Sequence, residues 1–167
     1  MAYNNRSYNT FLMVSIKPKY LNENFKKIIQ NKVINEYLHR ENNGIMITKI
    51  DFIEDVKFPL SKIIDNEIII QVPCSVMFEI YKSGDIITGT LNIGKDNEIE
   101  VRSNKVICKI LQNNVNIMVL NGIYSLQIEN KVYKSGDLVT CELIECKSTN
   151  NSVYFNCTGI IIDNIDS

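Results

Sequence analysis

Tyr81-Lys82-Ser83-Gly84-Asp85-Ile86-Ile87-Thr88-Gly89-Thr90-Leu91-Asn92-Ile93 decides the fold, because its opening returns as Tyr133-Lys134-Ser135-Gly136-Asp137-Leu138-Val139-Thr140-Cys141-Glu142-Leu143. Two near-copies mean two places where the backbone meets the same demand. In each, Ser-Gly-Asp supplies a tight turn, with glycine free to take a positive φ and aspartate able to bond nearby backbone. A run rich in β-branched residues then starts a strand. Small five-stranded barrels close by coiling their strands hard, and a Gly-Asp turn of this kind suits the start of the first and fourth strands. Residues 84–167 therefore read as a closed barrel, with strands over 86–93, 98–101, 105–111, 138–146 and 153–162. The segments 117–120 and 124–128, where such barrels often carry a helix, read as further extended chain.

Working outward toward the N-terminus, residues 1–9 are polar and Asn-rich and read as a lead-in. Phe11-Leu12-Met13-Val14-Ser15-Ile16 is a short apolar strand stopped by Pro18. From about Asn22 to Leu38 the apolar residues Leu21, Phe25, Ile28, Ile29, Val33 and Tyr37 recur at helical spacing, with Asn22 as N-cap and His39 and Arg40 near the C-terminal end. The stripe reads as core-facing, the alternative being a partner-binding face. Strands follow at Gly44–Ile53 and along Ile68–Tyr81, where Pro73 marks an edge or a bend. The sequence thus predicts an α+β protein: an N-terminal strand-helix-strands module over 1–83, then the barrel over 84–167. No Gly/Ser-rich linker separates them, and rigid packing of the two is expected.

Composition narrows the function classes. The chain of 167 residues is 45% hydrophobic and 22% charged, enough to build a core. It shows no run of about 18 apolar residues and no apolar leader, so neither membrane nor secretion is expected. In a reducing interior the sequons at Asn5, Asn150 and Asn156 stay bare and thiols stay reduced. Cys74, Cys108, Cys141, Cys146 and Cys157 include no Cys-x-x-Cys pair and read as structural thiols. On a regular strand, Cys141 and Cys146 would point to opposite faces. The excess of Ile and Asn reports AT-rich coding more than chemistry.

No catalytic constellation emerges. The one histidine, His39, reads as a surface residue complementing the helix dipole. Gly84 and Gly89 lack the Lys-Ser/Thr of a phosphate loop, and Glu98 and Glu100 share a solvated strand face. No cofactor or metal is expected. Readers of single-stranded nucleic acid stack bases on aromatic side chains over a basic groove. Here the second and third barrel strands offer Arg102, Lys105 and Lys109 but no aromatic residue; Tyr124, Tyr133, Tyr154 and Phe155 lie off that platform. Residues 1–83 carry 11 Lys and Arg against 9 Asp and Glu, a net of +2, and residues 84–167 carry 7 against 10, a net of −3. A module gripping phosphates unaided should be basic. The residues fit a docking module better than a free-standing RNA-binding adaptor of the oligonucleotide-binding class, the alternative reading.

The order of these features resembles the stalk subunit of multisubunit RNA polymerases, the counterpart of the seventh subunit of the eukaryotic messenger-RNA polymerase. It is more closely similar to the 18 kDa subunit family of poxvirus DNA-directed RNA polymerase. The resemblance spans about Phe11 to Ser167. It rests on Tyr37-Leu38-His39-Arg40-Glu41 with Gly44 and Met46, Glu54-Asp55-Val56, Pro59-Leu60, Val72-Pro73-Cys74, Gly84-Asp85-Ile86 with Gly89-Thr90-Leu91-Asn92-Ile93, Ile107-Cys108-Lys109 and Asp166-Ser167. It implies a non-catalytic subunit of a virus-encoded polymerase that works in the host cytoplasm and is packaged in the virion. The N-terminal module would dock on the large polymerase subunits near the clamp, through residues Gly44, Met46, Lys49, Phe58, Pro73 and Cys74. The barrel would project near nascent RNA, a weak secondary partner met by Arg102, Lys105 and Lys109.

Overall fold

The computed structural model describes residues 7–21, 23–53, 60–113 and 115–162, and the chain divides into two compact units between Ile80 and Tyr81. The N-terminal unit runs β1 (Tyr8–Ile16), α1 (Phe25–Tyr37), β2 (Glu41–Asn42), β3 (Ile45–Phe52), β4 (Leu60–Ile64) and β5 (Glu67–Ile80). Its sheet has the order β1-β5-β3-β2, with β4 also on β5. Alternation sends Leu12, Val14 and Ile16 of β1 and Ile68, Ile70, Val72, Cys74 and Val76 of β5 to one face, where Ile29 and Val33 of α1 cover them. The helical stripe is core-facing but narrower than its spacing suggested. Ile29, Val33 and Tyr37 pack inward, while Leu21 precedes the helix and, like Phe25, is exposed. Tyr37 also donates its hydroxyl proton to the Met13 carbonyl at 2.7 Å, tying helix to sheet. The N-cap is Asn24; Asn22 lies outside the described residues.

Pro73 stands in a strand paired on both sides, against the expectation of an edge. The ladder explains how. On one flank β5 pairs with β4 up to Ile70 and with β3 only from Cys74. Pro73 falls in the gap, where its missing N–H costs no ladder bond, and its carbonyl accepts from the Ile53 N–H at 3.3 Å. Tight turns here are set by residues that tolerate positive φ. Asn43-Gly44 (53° and 80°) joins β2 to β3, and Asp65-Asn66 (49° and 64°) joins β4 to β5.

The C-terminal unit holds β6 (Ile86–Ile93), β7 (Ile99–Arg102), β8 (Val106–Ile110), β9 (Val115–Leu120), β10 (Ile123–Ile128), β11 (Lys131–Lys134), β12 (Leu138–Lys147) and β13 (Phe155–Ile162). Five of these close a barrel in the order β12-β13-β8-β7-β6. Only the β8–β13 contact is parallel. Strict alternation on β6 and β13 fills the interior with Ile87, Leu91, Ile93, Phe155, Cys157 and Ile161. The connecting segment is extended as expected, but it forms a separate sheet, β11-β10-β9, whose first hairpin turns on Asn121-Gly122.

The repeated turns are equivalent in space. Asp85 accepts the Lys82 N–H on its side chain at 2.9 Å, and Asp137 accepts that of Lys134 at 2.7 Å. Gly84 and Gly136 carry φ of 87° and 102°. Each turn then grips the other copy. Gly84 N–H donates to Leu143 and Leu143 N–H to Asp85 (2.8 and 2.9 Å), while Gly136 N–H donates to Leu91 and Leu91 N–H to Asp137 (both 2.8 Å). The β6–β12 ladder pairs Thr88 with Thr140, 52 residues apart, their hydroxyls at 3.4 Å. A local two-fold axis passes through that pair. The two Gly-Asp openings are thus a reciprocal clamp that shuts the barrel along one seam.

One sequence expectation is corrected inside the barrel. Cys141 and Cys146 share the inner face, because the β12–β13 register shifts between Leu143 and Glu145 and the extra residue, Ile144, resets the alternation.

Candidate nucleic-acid interface

The outward face of β6, β7 and β8 is where the sequence placed RNA-facing cations. Alternation leaves Thr88, Thr90 and Asn92 on it from β6, Glu100 and Arg102 from β7, and Lys109 from β8, with Glu98 just ahead of β7. The structure brings Arg102 and Lys109 onto this face and pairs each with an acid. Arg102 donates through Nε and Nη2 to Glu100 Oε2 (3.1 and 2.8 Å), and Lys109 Nζ donates to Glu98 Oε1 at 3.1 Å. The carboxylates taken from sequence as a solvated pair are therefore the partners of the candidate cations. Arg102 and Glu100 stand two apart on β7 and so share a face, while Lys109 and Glu98 meet across the β7–β8 hairpin. Surface pairs of this kind contribute ~0–1 kcal/mol each to stability. Their larger effect is local neutrality: two positive and two negative charges cancel across the face. Lys105 lies in the β7–β8 turn, where its carbonyl accepts the Phe155 N–H at 2.8 Å.

A cavity of about 330 Å³ opens elsewhere in this unit, lined by Gln112, Ile128, Glu129, Asn130, Lys131, Tyr133 and Ile161. Gln112 is fixed there by accepting the Ile161 N–H at 3.1 Å. Sequence reasoning noted Tyr133 only as off the platform and missed the cavity, because it depends on how the β10–β11 hairpin stands against the end of β13. Among the described residues no group of three or more His, Cys, Asp or Glu side chains is arranged to hold a metal ion.

The docking candidates of the N-terminal unit are dispersed. Met46 and Cys74 are buried, at 1% and 0% exposure, and Pro73 is buried too. Burial pushes the Cys74 thiol up to about 11. Gly44 sits on the Asn-Gly turn, its N–H bonded to the carboxylate of the fully buried Glu41. Lys49 is exposed and pairs with Asp51 at 2.7 Å. Phe58 lies outside the described residues. The exposed apolar side chains of the sheet include Phe11 and Met13, on the side of β1 away from α1, at 55% and 49% exposure. Sequence reading placed both in a strand but could not assign their face.

The strand order β6-β7-β8-β13-β12, with its single parallel contact, defines the class: a five-stranded barrel of the oligonucleotide-binding type, following an α+β module. Residues 4–163 match the family model described as poxvirus DNA-directed RNA polymerase, 18 kD subunit. The chain is 36% identical over 153 residues to the DNA-directed RNA polymerase 18 kDa subunit of Fowlpox virus (strain NVSL), covering 92% of this chain and 95% of that one. Its counterparts in Vaccinia virus (strain Copenhagen) and Monkeypox virus are 33% and 32% identical over the same shares. The chain belongs to the poxvirus DNA-directed RNA polymerase 18 kD subunit family. It is thus a subunit of a viral DNA-directed RNA polymerase, a nucleotidyltransferase complex.

Proposed function

We propose that the chain serves this polymerase as a non-catalytic stalk, docking by its N-terminal unit on the large subunits near the clamp and holding the barrel near the RNA exit. The observation that carries the reading is the family match over 92% of the chain, which takes in both units. Docking then falls on surface that is available: the Asn43-Gly44 turn, Lys49, and the Phe11–Met13 side of β1. Met46, Pro73 and Cys74 act by shaping the sheet that carries this surface. The site of action is the host cytoplasm and the virion, where such a polymerase would be packaged.

Affinity purification from infected cells tests the assignment. Large polymerase subunits should co-purify at one copy each, and crosslinks should join residues 44–52 to a large subunit. Recovery of the chain free of any polymerase would overturn it. The free-standing RNA-binding adaptor is disfavoured by the charge cancellation on the β6–β8 face. Micromolar, salt-dependent RNA binding by the isolated chain would favour that adaptor instead.

A further inference from the structure

Four of the five cysteines lie within the barrel, and their surroundings separate them. Cys108 and Cys141 are fully buried, and Cys108 donates its S–H to the Lys109 carbonyl at 3.9 Å. Cys146 and Cys157 face one another directly across the β12–β13 ladder, with Sγ atoms 2.8 Å apart. Residues directly opposite in an antiparallel pair have Cα atoms about 4.5 or 5.5 Å apart, and both spacings fall inside the window a disulfide spans. Their pairing in the ladder already brings the two sulfur atoms together. Cys157 is 4% exposed, whereas Cys146 is half-buried, so a small solute can reach Cys146 first.

We propose that Cys146 and Cys157 form a peroxide-oxidisable dithiol that closes to a reversible disulfide stapling β12 to β13. The Ile144 bulge is what makes the site, since it turns Cys146 toward Cys157. The polarity of the pair agrees with the order of attack. The S–H of Cys157 donates to Cys146 and holds that thiol below its ordinary value, against burial and the nearby Asp85 and Glu145. The same bond, together with burial, pushes Cys157 up. In the first step the Cys146 thiolate attacks one oxygen of hydrogen peroxide. An S–O bond forms, the O–O bond breaks, and hydroxide leaves to become water, giving Cys146 sulfenic acid. The Cys157 sulfur then attacks Cys146 sulfur; S–S forms, S–O breaks, and the hydroxyl departs as water with the proton of Cys157. Two thiols are oxidised by two electrons and one peroxide is reduced to two waters. An added dithiol reverses the product by exchange.

The test uses the full chain, purified reduced, exposed to one equivalent of hydrogen peroxide and then alkylated. Intact mass should fall by two hydrogens and peptide mapping should give a single 146–157 link. Tm should rise by several degrees, because the link closes a short loop in the unfolded chain. Dithiothreitol should restore mass and Tm. Cys108 and Cys141 should stay reduced and react with alkylator only after unfolding. In Cys157→Ser, Cys146 should stop at a sulfenic acid that dimedone traps. Should that variant fail to fold, Cys146→Ser serves instead and should lose the mass change and the Tm rise. A link to Cys108, links between chains, or oxidation of Cys146 past the sulfenic state without any link would overturn the proposal.

Discussion

Gly159→Ala should destabilise the barrel sharply although its backbone conformation suits any residue. A Cβ built at Gly159 meets the Glu142 carbonyl oxygen at 2.5 Å and Cys108 Sγ at 2.8 Å. Neither neighbour can step aside. Glu142 belongs to the β12 ladder against both β6 and β13, and Cys108 is fully buried. Overpacking of this sort costs ~1–3 kcal/mol, and the stiffer unfolded chain of an alanine variant returns only ~0.4–1. The net loss of roughly 1–2 kcal/mol corresponds to a fall in Tm of about 4–16 °C for a unit of this size. Gly94→Ala is the matched control. Its Cβ would meet nothing closer than the Glu98 carbonyl oxygen at 3.6 Å, and its φ is not positive. That variant should melt at or slightly above the parent temperature. Circular dichroism melts and urea midpoints of both, read side by side, decide the matter. Equal melting of Gly159→Ala and the parent chain would refute the packing argument, as would an equal loss in Gly94→Ala.

The reciprocal clamp predicts that Gly84→Val and Gly136→Val each lower Tm, and by similar amounts, since both sit at positive φ in open space and a β-branched residue resists that region. Unchanged melting of either would show that its turn does not depend on the left-handed conformation. Glu98→Gln with Glu100→Gln should release Lys109 and Arg102, raising the affinity of the chain for single-stranded RNA in fluorescence anisotropy. The salt dependence should steepen by ~0.7 per added phosphate contact. Cys74 contributes stability that is present below its unfolded value near 9 and is lost as pH rises through about 11. Urea midpoints of Cys74→Ala should therefore fall less between those pH values than the parent's. Val119, 58% exposed on the edge strand β9, is uncharged along with every residue of that strand, so Val119→Lys should reduce self-association in light scattering at unchanged Tm.

The barrel was legible because its closing seam is written twice. Lys-Ser-Gly-Asp at 82–85 and 134–137 contains every atom type the clamp needs, and the β-branched runs behind them could only be strands. What stayed hidden depended on partners distant in the chain. The Ile144 bulge has no glycine or proline to announce it and arises where β12 must serve β6 and β13 at once. Pro73 read as an edge or a bend because a lone strand cannot show that its neighbour changes from β4 to β3 there. The Asn-Gly pairs at 43–44 and 121–122 did carry a hairpin signal, obscured by the many other asparagines of the chain. Among site residues, Arg102 and Lys109 were named from sequence as RNA-facing cations; the Arg102–Glu100 pair lies two apart on one strand, whereas the Lys109–Glu98 pair depends on which strands adjoin.

That neutralisation bears on how a subunit of this kind could meet RNA at all. Phosphate affinity scales with cations that release counterions, and a face whose cations already pair with Glu98 and Glu100 offers few. Breaking a surface pair costs little, so the cations remain recruitable when a phosphate is held nearby. Docking on a polymerase would supply that condition. A barrel tethered beside an emerging transcript experiences it at an effective concentration on the order of millimolar, where weak contacts suffice. On the proposed reading, the same surface in the free chain would bind RNA only weakly at ordinary concentrations. On the proposed reading, the paired charges of Arg102, Glu100, Lys109 and Glu98 suit an RNA-proximal role that exists only in the assembled enzyme.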